Sequence, residues 1–482
     1  MNILGTFSKA WKDLKIKVSS TFDAIELDKI AKKTKFIQRS SSLLQGKDFV
    51  DLLSAASIDP KIVPLEGLCI ALRKLNAETD LTPQSLMERI NNPKAVEFLK
   101  CVFQQTLEKG IVDIVKKVPP DLLHPFNNVF IEDCTECILN EALQKEFKGS
   151  GGETSKSSVK IHLVYEIKQK NIRSIDLVDR KSPDQKLAQK HLSIIKEKDL
   201  VIRDLGFFDG EVLKLIDKIK AFFLSRLPAG VYVYINKNDK NPTDLAKYIN
   251  ENFQHSSVID INVFVTVEKL PCRLIAYRAP QELADKRRRE VNKNAQKKGR
   301  TPKQEVLNRL DFTFFLTNVP VAVWKAEIVG TVYTVRWQIE LIYKNWKSSL
   351  HINHLNGINP NRIRCLIYGK LILISVINMI YKLVDWYAQK LGREISLHKV
   401  INWLKQENVI RKLMFQCVNF KIMKQLIREI PKTLCKAKRK RKTTQECMEM
   451  GISYEYLYGK EKLLQEVPAI LSSIGVSTNK AA

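Results

Sequence analysis

Four polar residues stand at fixed intervals in the segment TVYTVRWQIELIYKNWKSSL, which begins at Thr331: Tyr333, Arg336, Glu340 and Lys347. Measured from Tyr333 at about 100° per residue, a continuous α-helix puts Arg336 at about 300°, Glu340 at about 340° and Lys347 at about 320°. All four then share a sector about 60° wide. Val335, Ile339, Ile342 and Trp346 cluster at about 180–240°, so the segment is amphipathic, with an apolar stripe and an ordered polar array. One reading of that array is a solvated face with an ordinary i,i+4 pair between Arg336 and Glu340. The other is chemical: a carboxylate for a metal ion, with cations beside it for phosphate.

Two upstream aspartates favour the chemical reading. NVFIED ends its acidic pair on Asp133, and DLVIRD ends on Asp204. Both are short apolar, strand-like runs, so each carboxylate can emerge at a sheet edge to which a helix delivers Glu340. Three converging carboxylates raise one another's pKa unless a cation joins them. Mg²⁺ suits such a site, because it takes a few carboxylates together with water and phosphate oxygens. Two such ions can activate an attacking oxygen and stabilise a leaving one. Arg336 and Lys347 then become phosphate contacts.

The elements that must position these residues change character along the chain. Residues 1–120 read as helical: KDFVDLLSAA and KAVEFLKCVFQQTL repeat apolar residues every three or four positions. LTPQSLMERI has Thr82 as candidate N-cap and Pro83 at the first helical position. After NVFIED, a glycine-rich turn KGSGGETSK leads into SVKIHLVYEI and NIRSIDLVD, which alternate like antiparallel strands. DLVIRD reads as a strand, EVLKLIDKIKAFFLSRL as a helix and GVYVYIN as a strand, which makes a mixed α/β layer. SVIDINVFVTV, PCRLIAYRA and DFTFFLTNV are strand-like again and enclose 282–303, a basic helix or loop with nine Lys or Arg against three acids. Beyond 325 the pattern is helical to near 430, and KTLCKAKRKRK at 432–442 carries seven basic residues and no acid. That run reads as a junction or a DNA-contacting segment.

The chain of 482 residues is long enough for two to four domains. Its 80 Lys plus Arg against 52 Asp plus Glu give a net charge of +28, a field suited to nucleic acid or an anionic membrane. A spanning helix is not expected. The longest apolar stretch, LILISVINMI at 371–380, is bounded by Lys370 and Lys382 and falls short of the roughly 20 residues required, so it reads as a buried core helix. Nine scattered cysteines suit a reducing compartment. Cys134 and Cys137 form one CxxC without a second pair, so they read as strand thiols and not as a zinc site.

The polar array matches a known signature. Tyr333, Arg336, Glu340 and Lys347 fit Y-x2-R-x3-E-x6-K at every spacing, and the chain resembles the bacterial DDE-type insertion-sequence transposases of the insertion-sequence-four group. IEDCTECILNEAL resembles the group's first-aspartate segment, FKGSGGETSKSSVKIHLVYE its glycine-rich turn and second strand, and VIRDLGFFDGEVLKLI its second-aspartate segment. The likeness is good over roughly 125–350 and looser in the helical N-terminus. It implies an α/β RNase H-like catalytic core with a β-rich insertion, flanked by helical regions. The expected division is a helical DNA-binding region at 1–120, the core at 121–255 and 318–390, the insertion at 256–317, and a helical basic region at 391–482.

The resemblance further implies cut-and-paste transposition. Asp133, Asp204 and Glu340 would hold two Mg²⁺ ions, with Mn²⁺ able to substitute, while Tyr333, Arg336 and Lys347 engage DNA. The implied partners are double-stranded DNA at the element's terminal inverted repeats, target DNA, and a second copy of the chain in a synaptic complex. The implied setting is a bacterial, nucleoid-associated cytoplasmic protein without membrane attachment. Some members stack a flipped base on a tryptophan of the insertion; none lies between Asp204 and Phe315, and Trp324 sits close to Glu340 in the chain. The alternatives are a non-transposing RNase H-like endonuclease and an inactive, transposase-derived DNA binder. The large insertion and intact signature favour transposition. A phosphate-loop ATPase is set aside because KGSGGETSKSS lacks the G-K-[ST] close. His162 can face the site or pack within its strand, with packing favoured, and His351 and His354, after the signature helix, suit capping or phosphate contact as well as catalysis.

Overall fold

The computed structural model describes residues 3–39, 42–55, 64–110, 121–149, 156–406 and 420–436. Its internal contacts divide the chain into two units, the first made of Met1–Lys117, Cys134–Ser182 and Ile339–Lys438, the second of Val118–Asp133, Pro183–Gln338 and Arg439–Ala482. Elements are numbered in chain order.

In the first unit the N-terminal segment forms helices α1 (Ile3–Thr21), α2 (Ala24–Lys33), α3 (Gly46–Ala55), α4 (Leu65–Leu75), α5 (Pro83–Ile90) and α6 (Pro93–Gly110), as the periodicity expects. Helix α5 starts as read from its sequence: the Thr82 hydroxyl accepts from the Ser85 amide at 3.2 Å and Pro83 occupies the first turn. Phe36, Phe49 and Phe98 draw α3 and α6 together, with ring centroids 4.8, 5.2 and 6.5 Å apart. Strand β1 (Val129–Ile138) runs through both units, and in this one the strand order is β3-β2-β1, with β2 at Ser158–Glu166 and β3 at Asn171–Asp179. The two expected antiparallel strands pair from Val159↔Asp179 to Glu166↔Asn171. The Glu166 carboxylate closes their turn by accepting from the amides of Lys168 and Gln169 at 2.9 and 2.7 Å.

Helices α13 (Trp337–Ser348), α14 (Pro360–Lys390), α15 (Leu397–Gln406) and α16 (Phe420–Glu429) complete the described part of this unit. Helix α14 contains the apolar stretch 371–380 and is long and apolar enough to cross a membrane, yet 83% of its most apolar window is buried within the protein. Lys370 and Lys382, read as its polar limits, are in fact 2% and 5% exposed. They are tolerated because each ammonium finds carbonyl partners: Lys370 Nζ donates to the His351 carbonyl at 2.8 Å, and Lys382 Nζ to the Gly110 carbonyl at 3.1 Å and to Asn171 Oδ1. Gly369 lets α14 approach α3 closely, since a Cβ there would lie 2.8 Å from the Leu53 carbonyl oxygen. Of the basic run 432–442, residues 437–442 lie outside the described residues.

Burial pulls the Lys370 amine down to about 8 from its ordinary 10.5. Between those values the folded protein binds fewer protons than the unfolded chain, so stability should rise as pH rises across that window. We expect a gain of about 2 kcal/mol between pH 8 and 10.5 in denaturant titrations, at about 1.4 kcal/mol per pKa unit with a discount for relaxation. The gain should vanish in Lys370→Met; an equal pH slope in that variant would assign it to other groups.

In the second unit the strand order is β1-β4-β5-β9-β8-β7-β6, with β4 (Leu200–Arg203), β5 (Phe222–Arg226), β6 (Val233–Tyr234), β7 (Val258–Val265), β8 (Leu270–Arg278) and β9 (Phe312–Thr317). Strands β1, β4 and β5 are mutually parallel, and β9 then adds antiparallel to β5 at Leu224↔Thr317. The three strand-like runs of the insertion form β7, β8 and β9, an antiparallel extension of the same layer. Helices α7 (Asp184–Lys190), α8 (Gly210–Lys218), α9 (Leu245–Asn252), α10 (Gln281–Gln296), α11 (Gln304–Arg309) and α12 (Ala326–Tyr333) accompany these strands.

Two expectations need correction here. EVLKLIDKIKAFFLSRL is not one helix: α8 ends at Lys218, Lys220 takes φ 57°, and FFLSR becomes β5. A run as apolar as AFFL is equally acceptable to a buried strand, and pairing on both sides, with β4 and β9, decides it. GVYVYIN contributes only Val233 and Tyr234 to the sheet. The basic interruption is helix α10, and two of its arginines are structural. Arg287 donates to the carbonyls of Leu310 and Phe312 at 3.3 Å and to Thr313 Oγ1 at 3.0 Å, while Arg288 pairs with Asp285 and Asp311. Lys286, Arg289 and Lys293 face solvent.

Candidate active site

Strands β1 and β4 are aligned Val129↔Leu200, Phe130↔Val201 and Ile131↔Ile202, an offset of 200 − 129 = 71. Carried on, the same offset sets Glu132 beside Arg203 and Asp133 beside Asp204. Successive side chains leave a strand on opposite faces, so these two pairs emerge on opposite sides of the sheet. On one side the Glu132 carboxylate accepts from Arg203 Nη2 at 2.8 Å, with side chains 1% and 2% exposed. On the other, the Asp133 and Asp204 side chains keep 23% and 41% exposure. Neighbouring strands lie about 4.8 Å apart, so the two carboxylates are held side by side; β4 ends here as expected, whereas β1 does not end at Asp133 but continues to Ile138. Asp204 is also where β4 leaves the sheet, at the start of the 3-10 turn Leu205–Phe207.

Tyr333 and Arg336 are brought to the same pair. The Tyr333 hydroxyl donates to Asp204 Oδ1 at 3.0 Å, and its ring is buried against Phe315 with centroids 5.0 Å apart. Burial, and then the Asp204 charge, push the Tyr333 phenol well above its ordinary pKa, so it remains a hydrogen-bond donor. Arg336 Nη1 lies 3.6 Å from Asp133 Oδ2, and its Nε lies 3.9 Å from Asp204 Oδ1. One guanidinium therefore spans both aspartates.

The single continuous helix assumed for the signature is not what forms. Helix α12 ends at Tyr333, Thr334–Arg336 make a 3-10 turn, and α13 begins at Trp337. The tighter turn changes the angular spacing, and Tyr333 and Arg336 become buried, 3% and 7% exposed, where a solvated polar face had been one reading. Glu340 and Lys347 belong to the other unit, in α13. Glu340 is exposed in its first turn, where the helix dipole favours an anion, and Lys347 lies half-buried in its last. The apolar stripe is as expected for Val335, Ile339 and Trp346, which are 3%, 0% and 3% exposed, while Ile342 is half-buried.

Trp324 has a structural place. It is fully buried, its indole Nε1 donates to the Leu122 carbonyl at 2.8 Å, and its ring meets Phe126 edge-on at 5.0 Å. His162 is a buried residue of β2, as read from the sequence. His351 adopts φ 50° in the turn after α13 and its carbonyl serves Lys370. Cys137 is buried and Cys134 half-buried in β1, and burial raises the Cys137 thiol to about 11.

A family model described as the transposase DDE domain matches residues 124–376, just over half of the chain. The chain belongs to the DDE-domain transposase family. This transposase is 29% identical over 464 residues to the transposase for insertion sequence element IS231B of Bacillus thuringiensis subsp. berliner, covering 90% of this chain and 94% of that one. It is 29% identical over 386 residues to the transposase for IS1151 of Clostridium perfringens, covering 76% and 80%. A solved piggyBac transposase synaptic complex with hairpin DNA matches at TM-score 0.42 and 10% identity over 89% of this chain and 87% of that one, a likeness too low to bear on fold or function. The mixed sheet of this transposase, with its parallel β1 and β4 presenting the two aspartates, is RNase H-like. Sequence reading missed the buried pairing of Glu132 with Arg203, which no local pattern near either residue announces.

Proposed function

We propose that this transposase cuts its element out of DNA and rejoins it at a target, acting at the terminal inverted repeats through Asp133, Asp204 and Glu340. The observation that carries this reading is the side-by-side placement of Asp133 and Asp204 at equal register, bridged by Arg336 and joined by the Tyr333 hydroxyl. Two hard carboxylates on one face fit a divalent ion, and the signature spacing adds Glu340 as the third acid. Two Mg²⁺ ions, or Mn²⁺ in their place, would activate the attacking oxygen and neutralise the leaving one. The chain's own residues prepare that chemistry. Tyr333 fixes the Asp204 carboxylate through a bond it can give only while protonated. Arg336 counters the repulsion between the two aspartates, and Lys347 is placed by the signature to hold a backbone phosphate. The working form is a homodimer that brings two element ends together.

Metal dependence is the direct test. Purified protein should cleave an end-repeat duplex in Mg²⁺ or Mn²⁺ and not in EDTA, and undiminished cleavage in EDTA would overturn the reading. A second expectation concerns the insertion. Changing Lys286, Arg289, Lys293 and Lys297 to Gln should lower the log–log salt slope of DNA binding by up to about 0.9 for each phosphate no longer neutralised. It should leave the preference for end sequence intact, because phosphate contacts carry no base information. Arg287 and Arg288 are kept, since they fasten α10 to β9. An unchanged slope would make the exposed face of α10 merely solvated.

A further inference from the structure

We propose that the buried Glu132–Arg203 ion pair is a register clamp, which sets Asp133 and Asp204 opposite each other and so positions the metal-holding carboxylates. The inference rests on the metal reading above but concerns residues on the other face of the sheet. Glu132 Oε1 accepts from Arg203 Nη2 at 2.8 Å and from Nε at 3.3 Å, and Arg203 Nη2 also donates to the Ala188 carbonyl at 3.2 Å. Both side chains are 1–2% exposed. The pair thus ties the end of β4 to the middle of β1 and to helix α7.

An ion pair this deep needs a reason, because removing two charges from water offsets most of their attraction, and apolar residues of similar volume commonly hold a core as well. What the charges add is intolerance of misalignment. At the start of the pairing Asn128 donates through its amide and its Nδ2 to Asp199 Oδ1 at 3.0 and 2.7 Å, and between that contact and the ion pair the strands are aligned by Val129, Phe130, Ile131, Leu200, Val201 and Ile202, which are interchangeable as apolar partners. A slip by one residue would turn one charge to the opposite face, and a slip by two would bury both charges apart. The observed register is the one that brings the two charges together. Since residues 133 and 204 follow directly, the register that pairs Glu132 with Arg203 also pairs Asp133 with Asp204. Glu132 and Arg203 are positioning residues: they act through their neighbours and touch no substrate.

The test uses the full-length protein without DNA and two readouts: hydrogen exchange over 129–133 and 200–204, and Mn²⁺ binding followed by the electron paramagnetic resonance of the free ion. In the double variant Glu132→Met with Arg203→Met the melting temperature should stay near that of the parent. Exchange in the two segments should quicken, and Mn²⁺ binding should weaken by about 10- to 100-fold, the usual cost of removing the support behind a metal ligand. Exchanging the charges, Glu132→Arg with Arg203→Glu, should restore much of both. Unchanged exchange in the Met pair overturns the clamp. If the Met pair does not fold, Arg203→Lys decides by the same measures: it keeps the charge but gives up the forked geometry, so quickened exchange supports the clamp and parental exchange overturns it. Should exchange quicken while Mn²⁺ binding to the parent proves insensitive to Asp204→Asn, the clamp stands and the metal reading falls.

Discussion

Asp133→Asn, Asp204→Asn and Glu340→Gln should each lower single-turnover cleavage of an end-repeat duplex by about 10³-fold or more, equivalent to about 4 kcal/mol of transition-state stabilisation. The amides preserve volume and keep one carbonyl oxygen, so Tyr333 retains an acceptor at position 204. What disappears is the negative charge that a divalent ion requires. Folding should be little affected, because Asp133 and Asp204 are partly exposed and Glu340 is exposed. DNA affinity in gel shifts should be equal to or above that of the parent, since a net charge of +28 becomes one unit more positive. The decisive comparison is among the three variants. Near-parental cleavage by Glu340→Gln beside dead Asp133→Asn and Asp204→Asn would remove Glu340 from the site and leave an aspartate pair alone.

Trp324→Ala should cost about 3–5 kcal/mol of stability, the range for emptying a large aromatic site in a core. The indole is fully buried, caps the Leu122 carbonyl and packs edge-on against Phe126, so its removal leaves both a cavity and an unmet acceptor. Thermal melting and denaturant unfolding would read the destabilisation, and cleavage per folded molecule below the transition should stay near normal. The opposite pattern, parental stability with failed end cleavage, would mark Trp324 as a base-stacking residue and contradict its place in the core. Trp324→Phe refines the comparison, since it keeps most of the volume while giving up the indole hydrogen bond.

Much of this protein was determined by local sequence. The helical N-terminal segment, the cap at Thr82, the hairpin of β2 and β3 and the buried character of 371–380 each follow from periodicity and end signals within a dozen residues. The neighbouring aspartates were legible as candidates too, because Asp133 and Asp204 follow apolar runs that form β1 and β4, and Glu340 was a candidate because it lies in a spaced signature. Tertiary structure decided what depends on partners distant in the chain. FFLSR became β5 because it pairs with β4 and β9, which periodicity in so apolar a run cannot register. The signature broke into a helix, a 3-10 turn and a second helix, and this turned Tyr333 and Arg336 inward onto two aspartates. The Glu132–Arg203 pair spans 71 residues of sequence, and nothing near either residue announces the other. Types and spacings of side chains are local quantities; register between strands is a relation between segments, and only the folded sheet supplies it.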